Sequence, residues 1–188
     1  MGRDIQENIY EGLAKKYGMS IEQAKANTQR VVQMAKVVGL DYHMDTLIQT
    51  NTFDAHRLTM YAKKQGLMKE MTERILQAYF TESKHIGDHE TLTELAVEVG
   101  LKRDDVAKML ASDEMTDVVR ADEQTAKQYG VTGVPFFLIN KKYALTGAQP
   151  AETFVQALRK VIADDEITVL NSQEALNCDD DGCEIPEK

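Results

Sequence analysis

Tryptophan is absent from this 188-residue sequence, proline occurs three times, and its two cysteines, Cys178 and Cys183, both lie close to the C-terminus. The body of the chain therefore has neither a disulfide framework nor a cysteine nucleophile of its own. No apolar run approaches the roughly 20 residues that a membrane span requires. The opening Met1-Gly2-Arg3-Asp4-Ile5-Gln6-Glu7 is polar and charged, unlike a secretion signal, so the expected setting is the cytoplasm, away from any membrane. There is no Gly-x-Ser-x-Gly elbow, no phosphate loop and no dinucleotide fingerprint. A basic stripe is also missing, which argues against a nucleic-acid partner.

The net charge of −9 is unevenly placed. From Asp164 to the C-terminus there are nine acidic residues and one base, whereas the preceding part is nearly balanced. The acidity belongs to a solvated tail.

Residues 8–16 read as a short amphipathic helix that presents Ile9, Leu13 and Ala14 and ends at Gly18. Ser20 with Gln23 has the spacing of a capping box. The helix it opens carries Ala24, Val31, Met34, Ala35 and Val38 at helical spacing and stops at Gly39. Residues 41–50 are irregular. Thr52 is expected to cap a third helix, which ends at Gly66. Residues 67–83 form a fourth, with Leu67, Met71, Ile75, Ala78 and Tyr79 as its buried stripe. Asp88 caps a fifth, closed by Gly100. Two further helices follow, near residues 103–110 and 115–129. The methionines mostly serve as core fillers of these stripes.

The pattern then changes. Gly130-Val131-Thr132-Gly133-Val134-Pro135-Phe136-Phe137-Leu138-Ile139 is a glycine-punctuated loop feeding an apolar run. A turn at Asn140-Lys141-Lys142 and a second strand over 143–146 complete a β-hairpin. Pro150 opens a final helix, in whose first turn proline is tolerated. It carries Phe154, Leu158, Val161 and Ile162. Residues 167–170 have the composition of a third short strand.

A long helix, the Gly130 to Phe137 loop, a hairpin and a closing helix together resemble the C-terminal half of a thioredoxin fold. Thr50-Asn51-Thr52-Phe53-Asp54-Ala55-His56-Arg57-Leu58, Ala78-Tyr79-Phe80-Thr81-Glu82, Ile86-Gly87-Asp88-His89-Glu90 and Gly147-Ala148-Gln149-Pro150 narrow the likeness. With Gly133-Val134-Pro135-Phe136-Phe137 they resemble the FrnE branch of the DsbA family. That branch is similar to 2-hydroxychromene-2-carboxylate isomerases and kappa-class glutathione transferases. The resemblance implies an α/β fold: a thioredoxin-like base with a large inserted all-helical domain. The expected division is an N-terminal segment over 1–18, the helical insertion over 19–111, the thioredoxin-like part over 112–163 and the acidic tail over 164–188. Members of the family begin with a strand and a Cys-x-x-Cys at a helix N-terminus, where a low-pKa thiolate forms. This sequence contains no such motif. Its thioredoxin-like part is accordingly partial, with the first βαβ unit missing.

The resemblance implies a protein disulfide oxidoreductase acting on protein or peptide thiols and disulfides. It places a cis bond before Pro135, leaving the backbone of Val134 free to pair with an extended substrate. Thr132, in the same loop, joins Val134 and Pro135 as a substrate-binding candidate. The plainer reading of Pro135 is a proline in a turn at a strand start. Cys178 and Cys183 are the candidate redox pair, in a Cys-x4-Cys arrangement found in some FrnE-like proteins. Their neighbours Asp179, Asp180 and Asp181 disfavour thiolate, which suits a resolving or shuttling role over an attacking one. Exposed thiols without function and a two-thiolate metal site remain alternatives, although structural zinc wants four ligands, so no metal is assigned.

His56 is a candidate contact for substrate or for glutathione. Its plainer reading is a capping or interdomain hydrogen bond. His85 and His89 are separated by Gly87 and Asp88 and do not read as a metal pair. No cofactor is assigned, glutathione being the one the relatives suggest. Two further functions stand beside the oxidoreductase. One is a non-catalytic module that binds peptides or associates with itself, as a homodimer, through an exposed strand edge. The other is a glutathione-dependent isomerase- or transferase-like enzyme.

Overall fold

A computed structural model describes residues 8–165 and the backbone of residues 178–179 and 182–183. The chain divides into two compact units, Met1–Gln128 and Tyr129–Lys188.

The first unit is helical. α1 (Ile9–Tyr17) starts at Asn8, whose side chain accepts from the backbone N–H groups of Tyr10 and Glu11 while Glu11 returns a bond to Asn8. Gly18 ends it in the left-handed region, at φ 64°, where a side chain would be strained. α2 (Ile21–Val37) opens with the Ser20–Gln23 capping box read from the sequence. α3 (Phe53–Lys64), α4 (Met68–Phe80), α5 (His89–Glu98), α6 (Arg103–Ala111) and α7 (Thr116–Gln128) follow. Thr52 makes no capping bond at the start of α3. Asn51 does the work instead, its Oδ1 accepting the Phe53 N–H at 2.9 Å.

α3 lies at the centre of this unit, against α4, α5, α6 and α7. Leu58, Met71, Leu92, Leu95, Val106 and Met109 are fully buried between these helices. Burial of each such side chain stabilises by about 1.5–3 kcal/mol before entropy is counted. Gly87 marks a close approach: a Cβ there would lie 2.0 Å from Thr50 Oγ1, well inside van der Waals contact.

The α2 stripe is less covered than its spacing suggests. Ala24, Thr28 and Ala35 are buried, but Val31, Met34 and Val38 are exposed. The helix has α1 as its principal neighbour, and one neighbour covers only a narrow strip of a helix surface.

In the second unit, β1 (Phe136–Ile139) pairs antiparallel with β2 (Tyr143–Thr146), with Phe136 opposite Thr146 and Ile139 opposite Tyr143. Asn140 and Lys141 both have positive φ, as a type I′ hairpin turn requires. α8 (Ala151–Asp165) follows, and Phe154 meets Phe137 edge to face at 4.8 Å. Among the described residues of this unit only Val161 is buried. Leu158 and Ile162 are exposed. β3 (Cys178–Asp179) and β4 (Gly182–Cys183) form a separate antiparallel pair. The third strand expected over 167–170 lies outside the described residues. Among the described residues no helix is long and apolar enough to cross a membrane.

Candidate functional site

The loop ahead of β1 gathers three of the candidate residues. Thr132, Val134 and Pro135 are all exposed, and the Val134–Pro135 peptide bond is cis. Val134 reaches 88% exposure although it is branched and apolar. The Pro135 carbonyl accepts from the Gly147 N–H at 2.8 Å, which ties the loop to the end of β2. β1 has β2 as its only strand neighbour among the described residues. No strand pairs with its other edge among the described residues, and Phe137 and Leu138 are exposed beside it. An open edge of this kind can accept an extended chain as a further strand.

Cys178 and Cys183 stand opposite one another in the β3–β4 register. Directly opposed Cα atoms in an antiparallel pair are about 4.5–5.5 Å apart, within the span a disulfide bridges. The cysteine side chains themselves lie outside the described residues.

His56 belongs to the first unit. Its ring takes no hydrogen bond among the described residues, either as a helix cap or otherwise. It lines a cavity of about 400 Å³ between α3 and α4. Met60, Met68, Ile75 and Phe80 supply apolar wall, and Tyr79 lines the same space. Burial pushes the Tyr79 phenol above its ordinary pKa.

Sequence reading missed the polar knot beneath this helix. Asp54 Oδ1 accepts from Arg57 Nη1 at 2.8 Å, and His89 Nε2 lies 2.8 Å from Asp54 Oδ2. Burial alone would raise the Asp54 pKa. The hydrogen bonds from His89 and Arg57, with the charge of Arg57, outweigh it and hold the carboxyl below its ordinary value. Arg57 also donates to the carbonyls of Met109, Ser112 and Glu114. It thereby ties α3 to carbonyl groups at and just beyond the end of α6. The i, i+3 spacing of Asp54 and Arg57 was the one signal of this knot in the sequence. His85 is used locally, 2.9 Å from Thr50 Oγ1. Among the described residues no three His, Cys, Asp or Glu side chains converge as metal ligands would.

The family model for the DSBA-like thioredoxin domain matches residues 4–159. The chain belongs to that family. A probable DsbA oxidoreductase from Streptomyces coelicolor has a similar crystal structure. It is 38% identical, with a TM-score of 0.79 over 99% of this chain and 80% of that one. The crystal structure of a putative protein disulfide isomerase from Nitrosomonas europaea is similar in fold, at 18% identity and a TM-score of 0.59 over 77% of this chain and 74% of that one. The uncharacterized protein YwbO from Bacillus subtilis is 33% identical over 99 residues, 52% of this chain and 49% of its own length. The matched stretch thus spans about half of that curated relative.

The family supports a thiol–disulfide oxidoreductase-like protein with thioredoxin topology and a helical insertion.

Proposed function

We propose that this chain takes part in thiol–disulfide exchange on protein or peptide substrates, as a member of the FrnE-like branch in the cytoplasm. The loop of Thr132, Val134 and Pro135 holds the substrate as an added strand, and Cys178 and Cys183 carry the exchangeable electron pair. The observation that carries this reading is the exposed Val134 at the head of a β1 edge that no strand pairs among the described residues, in a chain of the DSBA-like family.

The chemistry balances with these two thiols alone. In the reduced chain, the small thiolate fraction that Asp179, Asp180 and Asp181 allow at one cysteine attacks a sulfur of the substrate disulfide, which makes the step slow. A mixed disulfide forms and one substrate thiolate leaves. The second cysteine, as thiolate, then attacks the first, closing Cys178–Cys183 and releasing the other substrate thiol. The substrate gains two electrons and the chain loses two. The opposed register of the two cysteines supports closure of that small ring.

The test is to trap the intermediate. The single variants Cys178→Ser and Cys183→Ser are mixed with a peptide that contains one internal disulfide, and the products are weighed by intact mass. The proposal requires one variant to accumulate an adduct of chain plus peptide. Failure of both to form it, under conditions in which free glutathione does, would overturn the proposal.

A second reading is favoured by a specific observation. Phe137, Leu138, Val155, Leu158 and Ile162 are all exposed within one small unit. A module that docks peptides or a second copy of itself along β1 would cover them without any thiol chemistry. Concentration-dependent dimers, together with no exchange in the trapping assay, would favour it.

A further inference from the structure

We propose that the cavity between α3 and α4 is a binding site for a neutral, flat aromatic molecule that carries a carbonyl or hydroxyl group. This site is independent of the two cysteines, and its size, charge and unengaged polar groups define the ligand.

The cavity holds about 400 Å³, within the range of small-molecule sites and too large for one amino-acid side chain to fill. Among the described residues, Asp, Glu, Lys and Arg are absent from its lining. A charged ligand would lose its hydration there without gaining a counter-charge. Tyr79 and Phe80, whose rings meet edge to face at 5.0 Å, form one wall, and aromatic walls favour flat ligands through stacking and edge contacts. Met60 and Met68 line the cavity as well, and their flexible thioethers adjust to the outline of the guest.

Three polar side chains decide what the guest must carry. Thr52 makes no capping bond, and neither the His56 ring nor the Tyr79 hydroxyl has a hydrogen-bond partner among the described residues. All three line this one cavity. Burial raises the Tyr79 pKa, so the phenol stays a neutral O–H donor at physiological pH. A carbonyl or hydroxyl oxygen on the ligand accepts from it. By contrast, the neighbouring hydroxyls of Thr59 and Thr72 already donate to Ala55 and Met68 carbonyls in their own helices.

The full chain, labelled with carbon-13 at its methionine methyls, is titrated with 2-acetonaphthone, naphthalene and 2-naphthoate. Met60 and Met68 report on the cavity, while the buried Met71 and Met109 report on the integrity of the core. The expected result is saturable shifts at Met60 and Met68 with 2-acetonaphthone, and weaker binding of 2-naphthoate. Tyr79→Phe should weaken 2-acetonaphthone about 5-fold, the worth of one neutral hydrogen bond, and leave naphthalene unchanged. Thr72→Phe should fill the cavity from α4 and abolish the shifts. Thr59→Leu is the second blocking variant if the first disturbs Met71 or Met109. The Cys178→Ser/Cys183→Ser variant should bind as the parent does, which separates this site from the thiol proposal. Absence of saturable shifts at Met60 and Met68 would overturn the inference. So would tighter binding of 2-naphthoate than of the ketone, or binding that survives a folded blocking variant.

Discussion

Asp54 and His89 are 35 residues apart in sequence, and their side chains meet at 2.8 Å. The contact joins the start of α3 to the start of α5, and Arg57 extends it to the end of α6. Three helices are thus tied at one polar point, two of whose members, Asp54 and Arg57, belong to the Thr50–Leu58 segment that carries part of the family likeness.

Removal of the Asp54 carboxylate should leave Arg57 buried without its charge partner. Asp54→Ala should cost about 3 kcal/mol, the usual loss when one member of a buried pair is deleted. Urea unfolding at pH 7 measures it. A cost below about 0.5 kcal/mol, the ordinary range for a surface substitution, would show that the knot contributes nothing.

The same carboxylate gives the pH dependence a sign. Its folded pKa lies below the ordinary value, so its contribution is complete above the unfolded carboxylate range. It is lost as pH falls through the lowered folded value. The stability of the parent should therefore fall more steeply with acid than that of Asp54→Asn. Glu82, Asp88 and Glu98 are also lowered, which makes the difference between the two proteins the informative quantity. Parallel curves would contradict the assignment.

Arg57→Lys tests geometry apart from charge. A lysine keeps the charge beside Asp54 but cannot fork to the three carbonyls. A loss of about 2 kcal/mol is expected, the worth of one or two hydrogen bonds made by a charged group. Thermal unfolding of the pair reads it, and an unchanged midpoint would show that the carbonyl contacts are incidental.

Gly87 offers a steric check. Gly87→Ala places a methyl where Thr50 Oγ1 stands, and should cost about 1–3 kcal/mol as an overpacked site. The double variant with Thr50→Ser keeps that oxygen and should recover little. Thr50→Ala removes it and should recover more, and equal recovery by the two would contradict a clash with Thr50 Oγ1.

The open edge predicts association. Leu138→Lys should reduce any concentration-dependent self-association seen by sedimentation, since a charge on an edge strand opposes pairing. No change in a protein that does associate would place the contact elsewhere.

Much of this architecture was legible in the sequence because it is local. Ser20 with Gln23, Gly18, Gly100 and Asp88 mark helix ends through bonds that span only a few residues. The Val-Pro-Phe-Phe loop and hairpin likewise carry their own signal. Asn51 displaced Thr52 as the cap of α3, a choice between adjacent residues that depends on backbone angles and not on composition. The Asp54–His89 and Arg57–Met109 contacts were not legible, since they join positions whose neighbourhood exists only once α3, α5 and α6 are assembled. Tyr79 was read as part of a buried stripe. That its side chain shares a cavity with His56 follows from how α3 and α4 meet.

The measurement that bears most directly on the central claim is the rate at which the fully reduced chain opens a peptide disulfide, compared with that of the Cys178→Ser/Cys183→Ser variant. The parent should release two substrate thiols per chain and the variant none. Equal release by both proteins, or none by either, would contradict a redox role for Cys178 and Cys183 and leave the β1 edge as a binding surface alone.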